Sequence, residues 1–113
     1  MAYDEDLAVR TRDVLSEISG DVVEKKMFGG LAFMVSTNMA CGLIGEDLMV
    51  RVGADGHEQA LARGAREMEF TGRPMRGFVV VPGEDVVEDR ALEGWVRTGV
   101  AVAESLPRRK PRA

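Results

Sequence analysis

Residues 27–35, MFGGLAFMV, are the first of three apolar runs of strand length, and residues 38–45, NMACGLIG, and 47–53, DLMVRVG, are the other two. The polar insertions Ser36-Thr37-Asn38 and Gly45-Glu46-Asp47 separate the runs. Their residues favour hairpin turns because they tolerate positive φ or bond their own backbone. The stretch therefore predicts a compact antiparallel meander around which the rest of the chain is organised.

The apolar residues of these runs would lie on both faces of the predicted sheet. The third run alternates, with Leu48, Val50 and Val52 on one face and Met49 and Arg51 on the other. In the first two runs both faces are apolar: Leu31, Phe33 and Val35 oppose Ala32 and Met34, and Met39, Cys41 and Leu43 oppose Ala40 and Ile44. An antiparallel sheet with one solvated face alternates apolar and polar residues. The second face is therefore predicted to be covered, either by this chain or by a partner.

The flanking sequence predicts three helices and three more strands. Helices are expected over 4–18, 55–63 and 88–106, and strands over 22–28, 66–70 and 75–81, with residues 71–74 as a turn. Asp55 and Glu58 have capping-box spacing. Trp95 lies on the apolar stripe of the last helix and is expected in the core. The pattern predicts an α+β fold of two layers, with a mainly antiparallel sheet, helices on one face, and the order α-β-β-β-β-α-β-β-α.

Composition limits the class of protein. A chain of 113 residues is expected to form a single domain, 1–107, followed by a basic flexible tail, 108–113. Its net charge of −4 argues against a protein that mainly coats nucleic acid. The acidic N-terminus predicts a cytoplasmic location, and no apolar run approaches the roughly 18 residues of a membrane helix. The single cysteine, Cys41, fits a reducing compartment.

Residues with catalytic or metal-binding chemistry are sparse. His57, the single histidine, is expected to be exposed at a helix start, and Cys41 to be an inert core residue. No catalytic residue, metal site or cofactor is therefore predicted. Gly29-Gly30 marks a turn, a bulge, or a close approach of backbone or ligand. The basic residues Lys25, Lys26, Arg51, Arg73 and Arg76 are either solvated strand charges or an anion site, and the strand methionines 27, 34, 39, 49 and 75 either fill a core or face a partner.

Three segments together resemble the TfoX N-terminal domain family, which is related to the Sxy-type competence regulators of bacteria. They are residues 27–34, MFGGLAFM, residues 48–53, LMVRVG, and residues 70–77, FTGRPMRG. The resemblance implies a two-layer fold like that of secretion chaperones, often dimeric, and a role in transcription of competence genes alongside the cyclic-AMP receptor protein. Full-length regulators continue into a second, helical domain that the printed sequence does not contain. A stand-alone TfoX-like protein is therefore expected, and the family offers no catalytic residues to carry over.

Three functional hypotheses follow. The leading one is a non-enzymatic binding or regulatory domain that contacts a protein partner, such as a transcription factor, and forms a homodimer through its sheet. Met34 and Met49 would contact the partner, with Arg51 at the rim. The alternative is a nucleic-acid contact through the arginines and the basic tail, and the third is a small enzyme with a ligand at Gly29-Gly30. The surface predicted to contact a partner or ligand comprises Gly29, Gly30, Met34, Met49, Arg51, Arg73 and Arg76.

Overall fold

A computed structural model describes residues 3–27, 29–70 and 72–107, and within them it has the predicted α+β order. The elements are α1 (Glu5–Ile18), β1 (Val22–Met27), β2 (Gly30–Val35), β3 (Asn38–Ile44), β4 (Asp47–Arg51), α2 (Gly53–Ala62), β5 (Arg66–Phe70), β6 (Arg73–Val81) and α3 (Asp89–Ser105), with one short 3₁₀ helix, Gly83–Val86, before α3. Phe28 and the basic tail, 108–113, lie outside the described residues.

The strands form one antiparallel sheet in the order β1-β2-β3-β4-β6-β5, and the predicted meander is its consecutive strands β2, β3 and β4. Ser36 and Thr37 connect β2 to β3 with φ angles of 49° and 73°. Positive φ at both central residues matches the hairpin turn whose twist suits the flanking strands. Because β6 inserts between β4 and β5, the two edges of the sheet are β1 and β5.

All three helices lie on one face, as predicted. Helix α3 packs across β3 and β4, α1 packs on α3, and α2 packs on β6. Trp95 of α3 is buried at 4% exposure, which confirms its predicted place in the core. The guanidinium carbon of Arg63 lies 4.0 Å from the centre of the indole ring and shields its outer side. Helix α3 therefore shields this face of the sheet from water.

Several predicted boundaries differ from the structure, among them the starts of α2 and β6. Helix α2 starts at Gly53, with Val52 as its N-cap and no side-chain cap. Asp55 thus lies inside the first turn, and the predicted capping box does not cap the helix. Strand β6 starts at Arg73, so Arg73 and Pro74 extend the strand in place of the predicted turn. In both cases the backbone pairing begins earlier than the apolar pattern indicated.

A bulge in β3 changes which residues share a face. Phe33 opposes Cys41 while Met34 opposes Met39, so three residues of β3 stand against two of β2. The extra residue, Ala40, joins Cys41 in the core beneath the helices, whereas Met39 joins the cluster on the opposite face. The predicted alternation, which placed Met39 with Cys41 and Leu43, is wrong at this point because strict alternation assumes an uninterrupted ladder.

The bulge also sets the position of α3. A Cβ on Gly99 would lie 2.2 Å from the carbonyl oxygen of Ala40. The backbone of α3 therefore sits directly against the bulge, and only a residue without a side chain fits there.

Candidate functional site

The second face of the sheet carries a separate apolar cluster, which we call the methionine face. It contains six of the seven methionines of the chain. Its members are Met27, Ala32, Met34, Met39, Met49, Met68, Met75, Phe78 and Val80. All of them come from strands, whereas the buried apolar side chains of the three helices belong to the cluster on the other face. Within the described residues, the methionine face is therefore built and covered by strand side chains alone.

A row of directly paired residues crosses the centre of this face. Lys25 opposes Ala32, Ala32 opposes Gly42, Gly42 opposes Met49, and Met49 opposes Val80. Ala32 and Gly42 have the smallest side chains in the row and leave a trough between larger neighbours. The methyl carbon of Met49 would lie only 2.9 Å from a Cβ on Gly42, so the Met49 side chain lies down in that trough.

The face is closed at its centre and open at its margins. Met49 is 0% exposed, and Met34, Met39 and Met68 are also buried. By contrast, Met27, Met75, Phe78 and Val80 are partly exposed. Val23, which opposes Met34, is 52% exposed. The thioether side chains therefore cover one another at the centre, and apolar surface reaches water around them.

Arg51 lies on this face beside the methionines. Its guanidinium carbon is 4.8 Å from the centre of the Phe78 ring, and its Nη1 donates to the carbonyl oxygen of Met39 at 3.3 Å. Both contacts hold the side chain flat over the apolar surface, as cation–π stacking favours. The positive charge is thus fixed within the methionine face.

The structure brings together the two predicted methionines but not all three predicted arginines. Met34 and Met49 both belong to the methionine face. Arg76 lies 4.0 Å from Glu58 of α2, on the side of the sheet that carries the helices, and Arg73 is exposed where β6 begins. Arg51, Arg73 and Arg76 therefore do not form one basic patch.

The two predicted glycines have structural explanations. A Cβ on Gly30 would lie 2.0 Å from the carbonyl oxygen of Leu43, so its missing side chain admits the neighbouring strand β3. Gly29 has φ of +74°, which the turn between β1 and β2 requires. Of the alternatives predicted for Gly29-Gly30, the structure shows a turn at Gly29 and a close approach of another backbone at Gly30.

His57 is buried at 2% exposure, which corrects the prediction of an exposed helix start. Its Nδ1 accepts a hydrogen bond of 3.0 Å from the Gly77 amide, and its Nε2 lies 3.1 Å from Glu67 Oε1. Because Nδ1 is the acceptor, Nε2 carries the proton and donates to the carboxylate. His57 thus fastens α2 to β5 and β6. Sequence reasoning missed this role because both partners come from later strands.

Cys41 is fully buried, as predicted, and burial raises the pKa of its thiol to about 12. The thiol is protonated at neutral pH and therefore unreactive as a nucleophile. Across residues 3–27, 29–70 and 72–107, no three His, Cys, Asp or Glu side chains are placed so that they could share a metal ion.

A charged cleft of about 570 Å³, which sequence reasoning did not find, lies between the start of α1 and the loop after β6. Its lining includes Asp47, Arg66 and Arg10. Arg66 pairs with Asp47 at 2.9 Å, and Asp47 also accepts from the Gly83 amide at 3.0 Å. Arg10 donates to the carbonyl oxygens of Val86 and Val87. These groups satisfy one another, so the cleft fastens the loop to the sheet.

Of the comparisons with known proteins, the one with family models gives a match. The family model of the TfoX N-terminal domain matches residues 13–103 of the 113-residue chain. No curated protein and no solved structure matches. Among the described helices, none combines the length and apolar character needed to cross a membrane.

Proposed function

This chain belongs to the TfoX N-terminal domain family, and we propose that it is a non-enzymatic regulatory domain that acts through protein–protein contacts. The observation that carries the proposal is the methionine face. Six methionines share one side of a sheet whose helices all lie on the other side. Methionine side chains are flexible and polarizable, and they are over-used on surfaces that adapt to partners.

The edges of the sheet are less suited to a partner than its second face. Edge strand β1 carries Lys25 and Lys26, and charged residues on an edge discourage further pairing. Edge strand β5 has an irregular register against β6 between Glu67 and Glu69. Such irregularities also blunt an edge. These features direct an incoming protein to the methionine face.

The regulatory part of the proposal concerns transcription. The TfoX-like resemblance links this domain to regulators of competence genes, so the proposed partner is a transcription factor or a protein associated with one. The chain's net charge of −4 favours a protein contact over direct binding to nucleic acid. So does the position of Arg76 on the helix side of the sheet, away from Arg51.

A matched pair of variants tests the proposal. Val23 on the methionine face and Val9 on α1 are exposed to 52% and 50%. Val23→Glu should reduce capture of specific partners from a lysate of the source cells at least tenfold, as measured by quantitative mass spectrometry. Val9→Glu should leave capture within twofold, and both variants should melt as the unmodified protein does. Equal capture by both folded variants would refute the proposal.

A homodimer through the same face is the second candidate, because the exposed apolar margins also suit a second copy. Met34 and Met49 are already buried within the subunit, so a glutamate at either position would destabilise the fold itself. Light scattering at tens of micromolar, with Val23→Glu as the dissociating variant, is the suitable measurement. A monomeric unmodified protein would exclude the dimer.

A further inference from the structure

We propose that the segment that docks on the methionine face is an amphipathic α-helix whose apolar stripe is flanked by aspartate or glutamate. This inference rests on the proposed function, since it names the class of partner for the same face. Its two parts, the helix and the acidic flanks, follow from different observations.

A helix is favoured because the face offers no backbone groups to a partner. Strands β2, β3, β4 and β6 each pair with a strand on both sides, so their amides and carbonyls are occupied within the sheet. A segment lying on the face must therefore satisfy its own backbone hydrogen bonds, and an α-helix does so internally. The opposite face of the same strands already receives α3 in this manner.

Acidic flanks are favoured by the charges that the strand pairing places on this face. Lys25 opposes Ala32, Arg66 opposes Val80, and both of those partners belong to the methionine face. Arg51 lies over Phe78 of the same face. Among the described positions that pairing assigns to this face, the carboxylate is Asp47, which is bound to Arg66. The surface is thus locally basic.

The local charge contrasts with that of the whole chain, which is −4. At physiological salt, charges beyond about 8 Å are largely screened, so a docked segment responds mainly to Lys25 and Arg51, because Asp47 neutralises Arg66. The same charges disfavour a second copy, since a twofold axis over the face would bring like charges together.

The trough over Gly42 is the place for an anchor residue. Met49 fills it now, and its three rotatable bonds allow its methyl group to move aside for a leucine or phenylalanine of the partner. Buried apolar anchors at the centre of an interface carry most binding energy. The methyl signal of Met49 should therefore change most when the helix binds.

The test uses synthetic helices and the protein labelled with ¹³C at its methionine methyl groups. A peptide of about 18 residues spans about 27 Å as a helix. This length suits the molecule, whose principal extents are 40 × 29 × 25 Å. Three peptides share one leucine stripe and differ in having glutamate, glutamine or lysine flanks. The glutamate peptide should shift the methionine signals and bind at least tenfold more tightly than the glutamine peptide, with the lysine peptide weaker still. Trp95 fluorescence, which reports on the opposite face, should not change.

Two charge reversals on one strand supply the matched control. Lys25 lies on the methionine face, whereas the adjacent Lys26 opposes Leu31, which faces the helices. Lys25→Glu should lower the affinity for the glutamate peptide at least fivefold. Lys26→Glu, with the same change in net charge, should leave that affinity within twofold of the unmodified protein. Equal losses in the two variants would overturn the inference.

The remaining outcomes separate this inference from the proposed function. Equal affinity for all three peptides would overturn the acidic flanks while leaving a docking face. Methionine signals that no peptide moves, or that move only on self-association or on adding an oligonucleotide, would overturn the helical partner. In each case the capture experiment with Val23→Glu decides the proposed function independently.

Discussion

The two faces of the sheet are made by the same strands and reach the same burial by different means. On β4, Leu48 and Val50 face the helices and Met49 faces away, and all three are 0% exposed. Leu48 and Val50 are covered by α3, a separate element that would have to undock to expose them. Met49 is covered by flexible neighbours on its own sheet. Burial alone therefore does not distinguish a permanent core from a surface that can reopen.

The two faces differ in the kind of side chain that keeps them buried. The helix side contains branched and aromatic residues such as Phe33, Leu92 and Trp95, which pack in few rotamers. Ordering a methionine costs roughly 1.5–2 kcal/mol of rotamer entropy, against about 0.5–1 for leucine or isoleucine. The methionine face is thus the more easily rearranged of the two. Four predictions test this contrast, in decreasing order of expected effect.

Replacing Trp95 with alanine should have the largest effect. The side chain is buried beneath Arg63, and truncating a buried tryptophan costs about 3–5 kcal/mol. Urea unfolding followed by circular dichroism measures the loss. An unchanged unfolding curve would show that α3 is not docked on the sheet as described.

Gly99→Ala should destabilise by about 1–3 kcal/mol, the usual cost of overpacking. The new methyl would press on the Ala40 carbonyl oxygen, which lies 2.2 Å from the Cβ position. Gly94→Ala is the matched control on the same helix, because a Cβ there meets nothing within 4 Å. The control should gain up to about 1 kcal/mol from helix propensity. If both variants gained stability, the contact between α3 and the β3 bulge would be disproved.

Met49→Leu should cost less than about 1.5 kcal/mol, because the swap conserves volume and the surrounding methionines can adjust. The free energy of unfolding in urea is the measurement. A loss as large as that of Trp95→Ala would mean that the methionine face is packed as specifically as the helix side, and the contrast would fail.

The smallest effect concerns the ion pair that fastens α1 to the edge strand on the helix side. Arg12 donates to Glu24, with Nη2 at 2.9 Å from Oε1, and this hydrogen bond lowers the pKa of Glu24 from its ordinary 4.5. The pair's stability is therefore present above pH 4.5 and is lost as the pH falls through the lowered pKa. Because both side chains are partly exposed, the contribution is below about 1 kcal/mol.

Arg12→Gln should accordingly lower stability at pH 7 and have progressively less effect below pH 4.5. Melting curves over this range measure the difference, with Glu24→Gln as the control that should remove the same pH dependence. A constant difference between Arg12→Gln and the unmodified protein at every pH would contradict the assigned cause.

The sequence alone predicts the order of elements, the meander, and the faces of β2 and β4, because local alternation and turn residues encode these features directly. It also identified the stretch that carries the family resemblance and indicated a second apolar face. Ser36 and Thr37 were recognisable as a turn for the same local reason.

Other features depended on residues that meet only in the folded chain. The sequence predicts that His57 is exposed at a helix start. In the fold, Glu67 and the Gly77 amide, 20 residues beyond the histidine, bond to its ring. Met39 changes face because the extra residue Ala40 is defined by pairing between β2 and β3. Met49 is buried because Gly42, on the neighbouring strand, leaves space beneath it. Periodicity specifies which side of a strand a residue takes, whereas tertiary pairing decides what it meets there.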